Sequence, residues 1–123
     1  MDIYESGEDY LERILMLSLK EEKVHAVEVA KELNVSKPSV SVALKKLREG
    51  GYLEVGDDES LVLTPKGRSV AEKVYDRHKT LTSLLIKLGV DKDTAEKDAC
   101  KVEHDLSDET FDLLKKHLEK HLE

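Results

Sequence analysis

The sequence predicts a mainly α protein: an N-terminal winged helix-turn-helix unit with a small β-hairpin wing, followed by a helical domain. Three observations carry this. Apolar residues recur at helical spacing through most of the 123 residues. A helix-turn-helix pattern runs into a double glycine, two short apolar runs and Thr64-Pro65. Charged residues make up 38% and aromatics 4%, with no Trp, which suits a helical core of Leu, Val, Ile and Ala.

The first helix is expected from near Ser6 or Glu8 to about Leu19, with Leu11, Ile14, Leu15 and Leu17 as its apolar side. Ser6 followed by Asp9 resembles a capping box. A second helix fits Val27 to Leu33, with Val27, Ala30 and Leu33 on one face, and Asn34-Val35 forms a tight connection. Ser36 is an N-cap and Pro38 is tolerated in the first turn of a third helix, which runs to about Glu49 and buries Val40, Leu44 and Leu47. Gly50-Gly51 ends it, because both glycines favour positive φ. Tyr52 to Val55 and Leu61 to Leu63 flank the turn-rich Gly56-Asp57-Asp58-Glu59-Ser60 as a hairpin. Thr64-Pro65 opens a long helix to about Leu88. Gly89-Val90-Asp91 separates it from a helix over about Lys92 to Leu106, and Ser107-Asp108-Glu109 caps a last helix with Phe111, Leu114, Leu118 and Leu122 as its stripe. The pattern divides the chain at 1–66 and 67–123, without repeats or a low-complexity linker.

One cysteine, Cys100, excludes an internal disulfide framework and fits a reducing compartment. No apolar run approaches the roughly 20 residues that span a bilayer, and the acidic start lacks a signal-peptide layout. The expectation is a soluble, cytoplasmic protein with no membrane role.

The second helix of a helix-turn-helix enters the DNA major groove by its N-terminal end. Here that end offers Ser36, Lys37, Pro38, Ser39 and Ser41, with Lys45 and Lys46 further along. Ser36 to Arg48 carries four positive charges and no acid, so the formal −7 of the chain leaves −11 elsewhere. Short hydroxyls and a helix N-terminus suit phosphates and base edges. The alternative is a solvated lysine face. The tip Asp57-Asp58-Glu59 is a poor phosphate contact.

In the expected helix over Lys92 to Leu106, Ala95, Ala99, Val102 and Leu106 form a buried side. Cys100, Glu103 and His104 fall within an arc of roughly 100° beside it, a chelating pattern. Asp9 and Glu12 share one side of the first helix, and His78 sits in the long one. Together these supply thiolate, imidazole and carboxylate, a set matched to a borderline divalent ion. Each has a plainer reading: Asp9 as cap, Glu12 as an exposed charge, Cys100 as a small core hydrophobe, His78 as a core edge. His117 and His121, spaced i and i+4 among Lys, Glu and Leu, read as a solvent face.

Five stretches resemble the diphtheria-toxin-repressor and manganese-transport-regulator family of metal-dependent repressors. They are Glu8-Asp9-Tyr10-Leu11-Glu12, Pro38-Ser39-Val40-Ser41, Leu63-Thr64-Pro65-Lys66-Gly67, Arg77-His78, and Asp98 to His104 with Leu106-Ser107-Asp108. The resemblance covers nearly the whole chain. It implies that Asp9, Glu12, His78, Cys100, Glu103 and His104 are ligands, and that the helices after His78 form a homodimer interface. It further implies regulation of metal homeostasis through operator DNA, activated by Fe²⁺ or Mn²⁺. The chain ends like the shorter, two-domain manganese type. Asp9 and Glu12 match the manganese regulators, Cys100 matches the iron type, and Thr82 stands where the iron type's secondary site has an acid. The thiolate tilts the expectation slightly toward Fe²⁺. The alternative is a metal-independent winged-helix regulator that senses oxidation at Cys100. A third reading is a protein-binding winged helix with no DNA role. An enzyme is not expected, because no separate nucleophile or general base has its own orienting partner.

Overall fold

The computed structural model describes residues 5–121. Six helices and one hairpin follow in the order α1 (Glu5–Lys20), α2 (Ala26–Leu33), α3 (Lys37–Glu49), β1 (Leu53–Val55), β2 (Leu61–Leu63), α4 (Pro65–Lys87), α5 (Lys92–Val102) and α6 (Asp108–His121). The chain forms two compact units, one ending at Glu72 and the other beginning at Lys73. The division falls inside α4.

In the first unit, α1 packs on α2, α3 and β2, while α3 packs on α2 and β1. Leu11, Ile14, Leu15 and Leu17 are buried, as the helical period requires. Helix α1 already includes Ser6, so Ser6 lies inside the first turn and does not form the expected cap ahead of it. On α2 the inward residues are Val29 and Ala30, whereas Val27 is exposed. The helix starts one residue earlier than its apolar pattern suggested, with the Glu28 carboxylate accepting the His25 N–H at 3.1 Å. Asn34 then takes the left-handed conformation (φ 54°) that ends α2, and Val35 N–H closes onto Ala30 O at 3.1 Å.

Ser36 caps α3 through its hydroxyl, which accepts the Ser39 N–H at 3.3 Å; Val40, Leu44 and Leu47 face the core. Of the two glycines after α3, Gly51 alone has positive φ (81°); Gly50 stays in the right-handed helical region at −78°. One left-handed residue is enough to turn the chain into β1.

The hairpin pairs Leu53 with Leu63, Glu54 with Val62 and Val55 with Leu61. Leu53 and Leu61 are buried while Glu54 and Val62 are exposed, the alternation of a sheet with one wet face. Leu61 N–H also donates to Val24 O at 2.7 Å, which ties the chain ahead of α2 to the wing. The exit from the wing wraps the α3–β1 turn. Thr64 Oγ1 donates to Gly51 O at 2.6 Å and accepts the Gly67 N–H at 3.1 Å. Lys66 donates to Gly50 O at 3.0 Å and lies over the Tyr52 ring. This brings Gly67 against Tyr52 so closely that a Cβ would stand 1.9 Å from the Tyr52 carbonyl oxygen. Only glycine fits there.

In the second unit, α4 turns at Gly89 (φ 103°) into α5. Ser107 Oγ accepts the Thr110 N–H at 3.1 Å and caps α6, whose Phe111 and Leu118 are buried. Leu122 of the expected stripe lies outside the described residues. Lys115 reaches Asp76 at 2.8 Å and links α6 to α4. Among the described residues no helix is long and apolar enough to cross a membrane.

Gly67→Ala therefore forces backbone to move at the wing exit. The expected loss is about 1–3 kcal/mol, read as a lower urea midpoint at unchanged slope. An unaltered midpoint contradicts the close approach.

Candidate metal centre and nucleic-acid face

The second unit brings four of the six candidate ligands together around Glu103. Its side chain has no exposure, and its Oε2 lies 3.0 Å from His78 Nδ1. His104 Nε2 stands 3.5 Å from Glu103 Oε1, and the Cys100 Sγ lies within 4.8 Å of a Glu103 carboxylate oxygen. Glu103 Oε1 is buried and has no hydrogen-bond partner among the described residues. An isolated buried carboxylate costs several kcal/mol, in rough terms, unless positive charge compensates it. Two imidazoles and a thiol gathered around one buried carboxylate suit a borderline divalent ion. The residues present fit a metal.

The local backbone differs from the continuous helix expected to Leu106. Helix α5 stops at Val102, so Val102 is exposed and Glu103 and His104 sit on the following turn. Buried Arg77 explains the stop. Its Nη1 donates to Glu103 O at 3.0 Å and to Leu106 O at 2.7 Å, and its Nη2 meets Asp108 Oδ1 at 2.5 Å. Carbonyls past the end of a helix need such partners, and the guanidinium supplies them. Sequence spacing gave no sign of this, because the three partners lie 26 to 31 residues away.

Asp9 and Glu12 belong to the first unit, one turn apart on α1. Asp9 is half-buried and Glu12 is buried, at 1% exposure, which sets aside the reading of Glu12 as an exposed helix charge. Cys100 is half-buried. His117 is exposed, and the side chain of His121 lies outside the described residues.

The start of α3 carries the residues that the sequence offers to DNA. Ser36, Lys37, Pro38, Ser39, Ser41, Lys45 and Lys46 are all exposed. Val42, unassigned from sequence, is 56% exposed on the side of α3 away from its buried stripe. At the wing tip Asp58 pairs with Lys23, and it accepts both the Ser60 N–H at 3.1 Å and the Ser60 hydroxyl at 2.6 Å. The hydrogen bond from Lys23, followed by those from Ser60, holds the Asp58 carboxyl well below the usual carboxylate range.

A winged helix-turn-helix followed by a helical unit with thiol and imidazole groups around a buried carboxylate defines a class: metal-dependent, DNA-binding transcriptional regulators. Comparison with known proteins agrees. Residues 2–61 match the family described as "Iron dependent repressor, N-terminal DNA binding domain", and residues 64–122 match "Iron dependent repressor, metal binding and dimerisation domain". The chain is 42% identical over 118 residues to an uncharacterized HTH-type transcriptional regulator, MJ0568, of Methanocaldococcus jannaschii, covering 94% of each. It is 32% identical over 114 residues to the transcriptional regulator MntR of Salmonella typhimurium, covering 93% of this chain and 73% of that one. The solved structure of the manganese regulator SloR superposes with a TM-score of 0.83 at 32% identity, over 92% of this chain and 53% of that one. The chain thus spans about half the length of that structure. It belongs to the iron-dependent repressor family, as the resemblance to diphtheria-toxin and manganese-transport repressors implied.

The pairing at the wing has a pH signature. A carboxyl whose folded-state pKa is lowered adds stability that is present above its ordinary value, about 3.9, and lost as pH falls through the folded value. An NMR titration should therefore find Asp58 protonating below ordinary aspartates, and Lys23→Met should move it back up. An ordinary Asp58 pKa in the unaltered chain contradicts the pairing.

Proposed function

We propose that this chain is an Fe²⁺- or Mn²⁺-activated repressor that works as a homodimer on operator DNA in the cytoplasm. The observation that carries the reading is the buried Glu103 carboxylate with His78, Cys100 and His104 around it. We assign these four residues, with Asp9 and Glu12 of α1, as the metal ligands. A bound divalent cation supplies the positive charge that allows three carboxylates to share one place. Without that charge, Asp9, Glu12 and Glu103 repel one another. Their repulsion opposes the arrangement competent for DNA. Because α1 packs on α2, α3 and β2, fixing Asp9 and Glu12 fixes the whole helix-turn-helix. Half-sites about 34–36 Å apart demand two recognition helices at set spacing and tilt. A shift from 1:99 to 99:1 needs about 5.5 kcal/mol of differential affinity, within reach of several carboxylate ligands.

Ser36, Lys37, Pro38, Ser39, Ser41, Lys45 and Lys46 are the residues we assign to DNA. The lysines meet phosphates, and the short side chains at the helix start reach base edges. The acidic wing tip repels phosphate and contributes little. In the second unit Ile86, Leu88, Val102 and Leu113 are exposed, and burying them against a second copy is favourable. The manganese regulator SloR and the iron family description bracket the metal. Cys100 tilts it toward Fe²⁺, since thiolate is a poor ligand for Mn²⁺.

The test is operator affinity, measured by anisotropy on a duplex selected with the protein and Mn²⁺. Fe²⁺ under anoxia or Mn²⁺ should tighten binding about 5–150-fold. Asp9→Ala combined with Glu103→Ala should remove that response, and equal responsiveness in the double variant overturns the proposal. Cys100→Ser should weaken Fe²⁺ binding more than Mn²⁺ binding. Leu88→Glu together with Ile86→Glu should shift sedimentation from dimer toward monomer.

A further inference from the structure

We infer that Arg77 is a positioning residue of the metal centre: its guanidinium sets the turn that carries Glu103 and His104. The inference rests on the metal-binding reading above and adds a residue that touches no metal.

Four observations support it. The Arg77 side chain is 8% exposed, so its charge has left water for a specific structural purpose. One guanidinium takes the Glu103 and Leu106 carbonyls at 3.0 and 2.7 Å, on either side of His104 and Asp105. The carbonyl it holds belongs to Glu103, whose carboxylate is the centre of the cluster. Arg77 also precedes His78 in α4, so one helix segment presents an imidazole to the Glu103 carboxylate and a guanidinium to the Glu103 backbone. Displacing the guanidinium frees the turn and with it the directions of the Glu103 and His104 side chains.

The far side of the guanidinium is itself anchored. Asp108 accepts from Arg77 and, at 3.0 Å, from Lys73 one turn earlier on α4. The Phe111 ring lies 5.2 Å from the guanidinium carbon. A lysine at position 77 keeps the charge but lacks the planar fork that spans two carbonyls and a carboxylate at once. Geometry separates the two side chains here, so charge alone does not restore the role.

Co²⁺ titration of the full chain under anoxia, followed by absorbance, tests this. In the unaltered protein the thiolate-to-cobalt charge-transfer band reports Cys100, and its absence would overturn the metal reading itself, independently of Arg77. Outer partners of metal ligands typically affect affinity by about 10–100-fold. Arg77→Lys should bind Co²⁺ about tenfold or more weakly with altered visible bands, while keeping the apo helical circular dichroism. Leu118→Ala, which loosens the buried face of α6 two turns beyond Phe111, should keep the unaltered affinity and spectrum. Wild-type Co²⁺ binding by Arg77→Lys overturns the assignment, as does an equal loss in Leu118→Ala. If Arg77→Lys does not fold, Asp108→Asn carries the test, since it releases one arm of the same guanidinium. Weaker Co²⁺ binding with a changed spectrum then supports the inference, and unchanged binding overturns it.

Discussion

A carboxylate out of reach of water is the constraint around which the second unit is organised. Glu103 has no side-chain exposure, and one of its oxygens faces His78 while the other lacks a hydrogen bond among the described residues. A solvated glutamate would stabilise the fold better, so the burial makes physical sense as a binding arrangement. The surroundings follow from it. Imidazole and thiol groups line the cluster, the helix that leads into it stops early, and a guanidinium takes over the carbonyls at the end. Burial of the carboxylate is the costly member of this set. The imidazole, thiol and carboxylate groups are the donors proposed to hold the divalent ion.

The first unit is governed by different forces. Its helices are held by ordinary apolar stripes, with Leu11, Ile14, Val29, Val40 and Leu47 nearly or fully buried. What gives the wing its place is a small set of backbone contacts: Thr64 on Gly51, Leu61 on Val24, and Gly67 against Tyr52. These fix the hairpin beside α3, together with the buried side chains of Leu53 and Leu61. Charge is segregated along the same unit. Helix α3 is basic, and the wing tip holds its acids, one of them neutralised by Lys23. An acidic protein can therefore bind an acidic polymer, because DNA meets the local field at close range and the distant charges are screened by salt.

Much of the fold was legible because its signals are local. Helical period placed α1, α3 and α4; Ser36, Thr64 and Ser107 cap their helices as their residue types suggest. Local pattern failed where a near tie had to be broken by packing. Val27 and Val29 are equally apolar, and only the packing of α1 and α3 around α2 decides that Val29 turns inward. Ser6 looked like a cap because nothing in the sequence shows that the helix begins before it.

For the candidate site, the sequence by itself determined the donor types and their rough order: carboxylates early, an imidazole in the long helix, then Cys100, Glu103 and His104. It also determined the family, since those motifs survive as linear stretches. Tertiary structure alone decided that Glu103 is buried, that α5 ends before it, and that Arg77 holds the turn. Burial and long-range hydrogen bonds depend on residues 25 to 31 positions apart meeting in space, and periodicity is blind to such meetings.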